Sequence, residues 1–458
     1  MIETTALINR QNEEQIAWIS KPLEPLKGVL GNVNAQQFLS HAYALAEQLP
    51  QSKDKNCYCI NLCHNRYLFM LTFCAVIIRG HTNLLPSNKN IATQRRLHER
   101  YSENYIVHDG LPELADNIRA INLRELDLTS VDAYDIPHIN LNHVAAISFT
   151  SGSTGDAKAI VKTWHTFVAS TAINARYMLP NQHDNFYHLA TVPSQHMWGL
   201  ETTVLMSLLA NSCLVDAQPF YPNDIYATLE QLPTPRALIT TPIHLRALNE
   251  SAVSDIQIEN VLVATAPLNT ELAQSIEENL NTQVREVYGC SEVGSMSIRR
   301  PAQTDQWQRF DGLTFVAEND GLTTVNADHL PERITLDDQI TLIDDEYFIL
   351  AGRTTDQINI AGKRGSLTEV NNVLMKFSGL VDGVVIFPPQ DRIVPRLVAL
   401  VVLTDDQTKD DLRKHFAKYL DSVFVPRPIF LVSKLPREDN GKLIKAQLLE
   451  LYEELTAA

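Results

Sequence analysis

The chain has 458 residues, 45% of them hydrophobic, which is enough to bury large cores in roughly two to four domains of ordinary size. Its 38 basic and 54 acidic residues leave a formal charge of −16 spread along the chain, which argues against nucleic-acid binding, since neutralising phosphates needs clustered Lys and Arg. The opening MIETTALINRQNEEQ has neither the basic start nor the apolar run of a signal peptide, and no stretch reaches bilayer length, so a cytoplasmic location is expected.

The first patterned segment, CYCINL followed by NRYLFMLTFCAVIIRG, predicts a strand and then a helix. Six cysteines in a chain of this length do not make a disulfide framework. Cys57, Cys59, Cys63 and His64 form a crowded set, but CYCINL alternates like a strand and no second Cys/His pair follows at finger spacing, so buried thiols are expected and not zinc. HVAAISF then TFVASTAINARYML, ALIT then PIHLRALN, and VLVAT then NTELAQSIEENL repeat the alternation of strand and helix. The pattern predicts α/β layers with largely parallel, buried sheets. After about residue 300, GLTFVAENDGLTTV and QITLIDDEYFILAGR predict an antiparallel subdomain closing this large region. From about 355 to the end, strands (GVVIFP, RLVALVVL, PIFLVS) mix with helices (SLTEVNNVLMKF, KDDLRKHFAKYL, KAQLLELYEEL), which predicts a small separate α+β domain. The expected division is therefore 1–354 and 355–458.

The most informative segment is ISFTSGSTGDAKAIVKTW, residues 147 to 164. A hydrophobic strand runs into Thr150, Ser151, Gly152, Ser153, Thr154 and Gly155, then Lys158, then a helix. Glycines let the backbone approach a phosphate, successive N–H groups form an anion nest, hydroxyls add donors, and Lys158 adds charge. The spacing is not that of a Walker loop, because Gly155 is followed by Asp156, Ala157 and Lys158.

This segment resembles the signature Thr-Ser-Gly-Ser/Thr-Thr-Gly-x-Pro-Lys-Gly of the ANL family, which comprises acyl- and aryl-CoA ligases, nonribosomal adenylation domains and luciferases. Ala157 and Ala159 depart from it. Further segments resemble the family's motifs in the family's order. VYGCSEVGS, from 287 to 295, resembles Tyr-Gly-x-Thr-Glu and implies that Tyr288 lies against adenine, Ser291 donates to the α-phosphate, Glu292 helps hold magnesium, and Gly289 borders the acid pocket. VATAPL resembles the Gly-Ala-Pro-Leu stretch along adenine and implies a place there for Ala266. Asp338 stands fifteen residues before Arg353, as the family's ribose-binding Asp stands before the Arg of Gly-Arg-x-x-Asp, and Arg364 corresponds to a later arginine on the nucleotide side. Thr355 falls at the family's hinge, usually Asp or Lys. SKLPREDNGKLIKAQL resembles the C-terminal Leu-Pro-x-x-x-x-Gly-Lys signature and singles out Lys442 as the lysine that bridges the reacting carboxylate and the nucleotide. ATVPSQHMWGL resembles Leu-Pro-x-x-His-x-x-Gly, whose His borders the acid pocket, here His196.

The resemblance spans residues from about 60 to 448 and implies a large α/β domain with a closing β subdomain plus a small mobile C-terminal domain. The implied activity is an AMP-forming ligase: it activates a carboxylic acid with magnesium and ATP, then transfers the acyl group to the phosphopantetheine thiol of an acyl carrier protein or to coenzyme A. VPSQHMWGL lacks the Asp that amino-acid-activating relatives place near the substrate ammonium, which points to an aromatic or medium acyl acid. The compact length leans toward a carrier protein. Two other readings stand beside this one: a stand-alone amino-acid adenylation domain, and a catalytically silent adenylate-binding protein, for which Ala157, Ala159 and Thr355 would speak.

Overall fold

The computed structural model describes residues 3–51, 57–129, 132–150, 158–179, 181, 185–251, 256–318, 322–353, 357–360, 363–388, 396–438 and 441–457. Of Thr150, residues 351 to 353, Gln357, Asn359, Arg364 and Ala457 it describes the backbone alone.

Two sheets build the large domain. In the first, of six strands, Val144–Thr150, Thr82–Leu85, Tyr58–Asn61, Asn104–His108 and Ala120–Asn122 run parallel, and Lys158–Thr163 is antiparallel at the edge. In the second, of eleven strands, the parallel centre includes Ser212–Val215, Phe186–Ala190, Arg236–Thr240, Asn260–Val263 and Val284–Cys290. Phe186–Ala190 and Asn260–Val263 are buried at every residue, as strands covered on both faces must be. The helix Arg66–Ile78 explains why the two sheets stay together. It is apolar all round and packs on Tyr58–Asn61 and Thr82–Leu85 of one sheet and on Ser212–Val215 of the other, with Tyr67, Phe69 and Phe73 fully buried. Cys57, Cys59 and Cys63 lie in the core as free thiols, and burial pushes the Cys63 thiol up.

One expectation needs correction. Lys158 does not lead straight into a helix: KAIVKT forms a strand paired antiparallel with Val144–Thr150, and the helix Trp164–Met178 starts only after Thr163, whose hydroxyl caps it. The β-branched residues Ile160 and Val161 favour the extended state, and the strands on either side of residues 151–157 pair as a hairpin. The antiparallel region after 300 falls into two parts. Thr314–Ala317, Thr323–Asn326 and Ile334–Leu336 make their own sheet, whereas Asp338–Leu342 and Tyr347–Arg353 extend the eleven-stranded sheet through Trp307–Arg309 and Gly294–Arg299. Phe348 and Trp307 carry this continuity, stacked at 6.5 Å and both buried.

The small C-terminal domain packs Leu380–Ile386, Val398–Leu403 and Ile429–Leu431 under the helices Leu367–Met375 and Lys409–Tyr419, around Leu374, Leu412 and Phe416. The helix Lys445–Ala457 covers the other side through Leu448. Residues 354 to 356, with Thr355 and the expected division, lie outside the described residues. No helix among the described residues is long and apolar enough to cross a membrane.

Candidate active site

Because the strands ending at Ala190, Thr240, Val263 and Cys290 are parallel and adjacent, their carboxyl ends open along one edge, the usual place for a ligand in such sheets. The segments that leave this edge carry His196, Ala266 and Ser291 with Glu292. The other sheet delivers Ser148 and Phe149 at the end of its strand Val144–Thr150. Ser151, Gly152, Ser153, Thr154 and Gly155 lie outside the described residues. Their flanks are fixed, with Thr150 and Lys158 directly opposite in the hairpin.

Glu292 sits just past the last parallel strand and is gripped by two lysines from one strand. Lys158 Nζ donates to Glu292 Oε1 at 3.0 Å, and Lys162 Nζ donates to the Glu292 carbonyl oxygen at 2.6 Å. Partial burial pushes the Glu292 carboxyl up, but the Lys158 hydrogen bond and charge outweigh it and hold the group below its ordinary value. Glu292 is thus an ionised, partly open carboxylate. Gly289 lies opposite Ser295 at a bulge, and a Cβ on it would come within 2.3 Å of the Gly294 carbonyl oxygen, which accounts for glycine there.

Of the residues expected on the nucleotide side, Asp338, Arg353 and Tyr288 come together on the eleven-stranded sheet. The fifteen-residue spacing is a hairpin register that places Asp338 directly opposite Arg353. Tyr288 reaches them from the neighbouring part of the sheet, its hydroxyl donating to Asp338 Oδ2 at 2.7 Å while its ring packs edge-on against Trp307 and Phe348. Thr265, next to Ala266, holds a left-handed φ of 82°, a conformation natural to glycine, at the place where the resembling motif has one. Arg364 lies opposite Asn359 in the hairpin Gln357–Ile360 with Lys363–Ser366; its side chain and that of Arg353 lie outside the description.

Lys442 comes from the small domain. It closes a tight turn in which Gly441 N–H donates to the Glu438 carbonyl and Glu438 N–H donates to the Lys442 carbonyl, both at 2.8 Å, and Arg437 and Leu443 bridge its base. Arg437 is tied to Asp382 through two hydrogen bonds, 3.0 and 2.6 Å. The turn reaches the large domain: Lys442 and Glu438 line a small cavity of about 80 Å³ with Leu85, Ser87, Ser148, Phe149, Gln195, His196, Met197 and Ser291. Lys442, His196 and Ser291 therefore line one cavity, although His196 and Lys442 are 246 positions apart in sequence. Lys158, Asp338 and Tyr288 do not line this cavity.

Sequence reasoning missed the side chains beneath the site. Arg66, fully buried, donates to the carbonyls of Ala190 and Val192 and to Ser194 Oγ at 2.8 to 3.1 Å, holding the segment that leads to His196. Glu201 and Lys162 are buried beside Ser295 and Glu292. A charge inside an apolar run, as in GLETTVL, was the available signal.

No group of three His, Cys, Asp or Glu side chains suited to a metal occurs among the described residues. An ion here would take few protein ligands and complete its shell elsewhere. Magnesium is held by one or two carboxylates together with substrate phosphates, and Glu292 would supply the hard oxygen.

A family model described as AMP-binding enzyme matches residues 50–315, and one described as AMP-binding enzyme C-terminal domain matches residues 369–442. The chain belongs to the AMP-binding enzyme family. A 2-succinylbenzoate–CoA ligase of Staphylococcus epidermidis is 25% identical over 350 residues, covering 69% of this chain and 72% of the relative. A 3,4-dihydroxybenzoate–[aryl-carrier protein] ligase of Bacillus anthracis is 22% identical over 383 residues, covering 79% and 88%. Among solved structures, o-succinylbenzoate CoA synthetase from Bacillus subtilis in complex with its acyl-adenylate intermediate superposes with a TM-score of 0.79 at 17% identity, over 95% of each chain. ATP-bound MatB from Rhodopseudomonas palustris gives 0.78 at 15%, over 97% of each. The α/β fold with a large and a small domain is that of these AMP-binding enzymes.

Proposed function

We propose that this AMP-binding enzyme is an acid–thiol ligase that forms an acyl-adenylate from an aromatic or medium acyl carboxylic acid and passes the acyl group to a phosphopantetheine thiol. The observation that carries the reading is the meeting of Lys442 with Ser291 and His196 in one cavity. A carboxylate entering beside His196 would find a hydroxyl donor aimed at the α-phosphate and an ammonium where negative charge develops, groups that position reactants and stabilise charge. In this scheme the substrate carboxylate attacks the α-phosphorus of ATP, pyrophosphate leaves, and a thiol then displaces AMP. Thr150 to Gly155 and Lys158 would hold the departing phosphates, Asp338 the ribose hydroxyls, Tyr288 and Ala266 the adenine, with Arg353 and Arg364 on the same side. Glu292 would hold magnesium, whose charge would offset that of the phosphates. Gly289 and His196 would border the acid.

The relatives are divided between coenzyme A and an aryl-carrier protein as acceptor. The acceptor thiol would accordingly be that of an acyl carrier protein or of coenzyme A. The absence of an acidic residue from VPSQHMWGL leaves an amino-acid ammonium without a partner there and favours a non-amino acid. Acid-dependent exchange of labelled pyrophosphate into ATP, run over benzoic, cinnamic, fatty and amino acids, tests the reading. Exchange with an aryl or acyl acid supports it; exchange with none makes the chain a silent binder, and exchange with amino acids alone makes it an amino-acid adenylation domain.

A further inference from the structure

Two charged side chains with no part in the scheme above are buried under the turn that carries Glu292. Lys162 is 2% exposed and Glu201 is 4% exposed. Lys158 and Lys162 stand four residues apart on one strand, hence on one face, and they address the same residue: the first binds the Glu292 carboxylate, the second its main-chain carbonyl at 2.6 Å. Glu201 holds the turn three residues further on, where its Oε2 accepts from Ser295 N at 3.2 Å and from Ser295 Oγ at 2.7 Å. Between them Gly294 takes a φ of 101°, and a Cβ on it would come within 2.3 Å of Glu201 Oε1, so the carboxylate lies directly on the turn's backbone. Glu201 itself sits in a π-helical stretch, Leu200–Leu205, whose widened turn is a common mark of a functional segment.

Burying a lysine and a glutamate is costly, and an apolar pair of similar volume would fill the same space more cheaply. Their attraction for each other offsets part of that cost, and both bond to the turn from residue 292 to 295. We propose that Lys162 and Glu201 are positioning residues that clamp this turn at two points, the Glu292 carbonyl and Ser295, so that the Glu292 carboxylate keeps its place for magnesium when Lys158 turns to the phosphates of the nucleotide. This inference rests on the ligase reading, but its test does not require turnover.

The test is calorimetric titration of the full chain with ATP, with and without magnesium and without any acid. Magnesium should tighten ATP binding to the unaltered chain. Lys162→Met should remove about tenfold or more of that tightening, the usual scale for losing a partner behind a metal ligand, while ATP affinity without magnesium stays nearly unchanged. Lys162→Arg should restore much of it, and Glu201→Gln and Ser295→Ala should act in the same direction with smaller effect. Folded Lys162→Met with full magnesium tightening, or with affinity lost equally in both conditions, overturns the proposal. So does an unaltered chain that ignores magnesium. If Lys162→Met does not fold, Ser295→Ala, which deletes one hydroxyl, decides the matter by the same criteria. Failure of the unaltered chain in pyrophosphate exchange would remove the ligase reading and leave these binding outcomes readable.

Discussion

The turn carrying Glu292 and the turn carrying Lys442 face the same site but are held in very different ways. The first leaves a parallel strand of the central sheet, and its main chain is bonded to the buried Lys162 and Glu201. The second belongs to the small domain and is tied at its base by Arg437 and Asp382, whose side chains are 20% and 16% exposed. Its domain meets the large one through long polar contacts: Arg246 to the Leu380 carbonyl at 3.3 Å, Asn269 to the Met375 carbonyl at 3.4 Å, and Lys376 with Glu271 at 3.6 Å. The last pair is well exposed and worth at most about 1 kcal/mol. Half of the site is thus built into the sheet, and the other half is brought to it by contacts that are weak one at a time. An enzyme that must first exclude water and later admit a thiol needs such a division.

Breaking the built-in half should do the most damage. Gly294→Ala must accommodate a side chain at positive φ against Glu201, which should cost roughly 1–3 kcal/mol of stability. It should also lower pyrophosphate exchange about a hundredfold by displacing the turn of Glu292. Thermal melts with exchange assays on the folded protein check this, and a Gly294→Ala enzyme of ordinary stability and rate would show that the turn is not rigid.

On the docked half, Arg437→Met takes the arginine from Asp382, which keeps only the Gly383 N–H among these bonds, and should loosen the Lys442 turn. Adenylation should slow by about tenfold, the scale of a modest misplacement, while ATP affinity changes little. Urea unfolding should show a loss of up to about 3 kcal/mol, confined to the small domain if the two halves are independent.

Smaller effects separate ground-state binding from chemistry. On the proposed role of Asp338, Asp338→Ala would remove a ribose contact that is similar in ground and transition states, so the Michaelis constant for ATP should rise about tenfold with turnover nearly kept. A collapse of turnover with that constant unchanged would contradict the ribose assignment. His196→Ala should alter the order of preferred acids and leave ATP affinity almost as it was. An unchanged acid profile would make His196 a packing residue.

The parts legible in the sequence were those written as local pattern. The strand and helix alternation gave the layers, and the Asp338 to Arg353 spacing proved to be a hairpin register, because cross-strand pairs in a hairpin are fixed by chain length alone. What was missed depended on burial. Lys162 and Glu201 look like surface charges in isolation, and only the fold shows that Ile160 and Lys162 share the inward face of their strand. The π-helical stretch at Leu200–Leu205 has no periodicity to announce it, and KAIVKT was absorbed into the helix that follows because six residues are too few to separate the two patterns.

The central claim is that Lys442 completes a site for adenylate formation and is not needed once the adenylate exists. The most direct measurement compares the two half-reactions of Lys442→Ala, adenylation by pyrophosphate exchange and thioester formation from a chemically supplied acyl-adenylate. Removing a preorganised cation should slow adenylation by roughly a hundredfold or more, while thioester formation continues at a near-normal rate. Loss of both half-reactions together, or survival of both, would contradict the account.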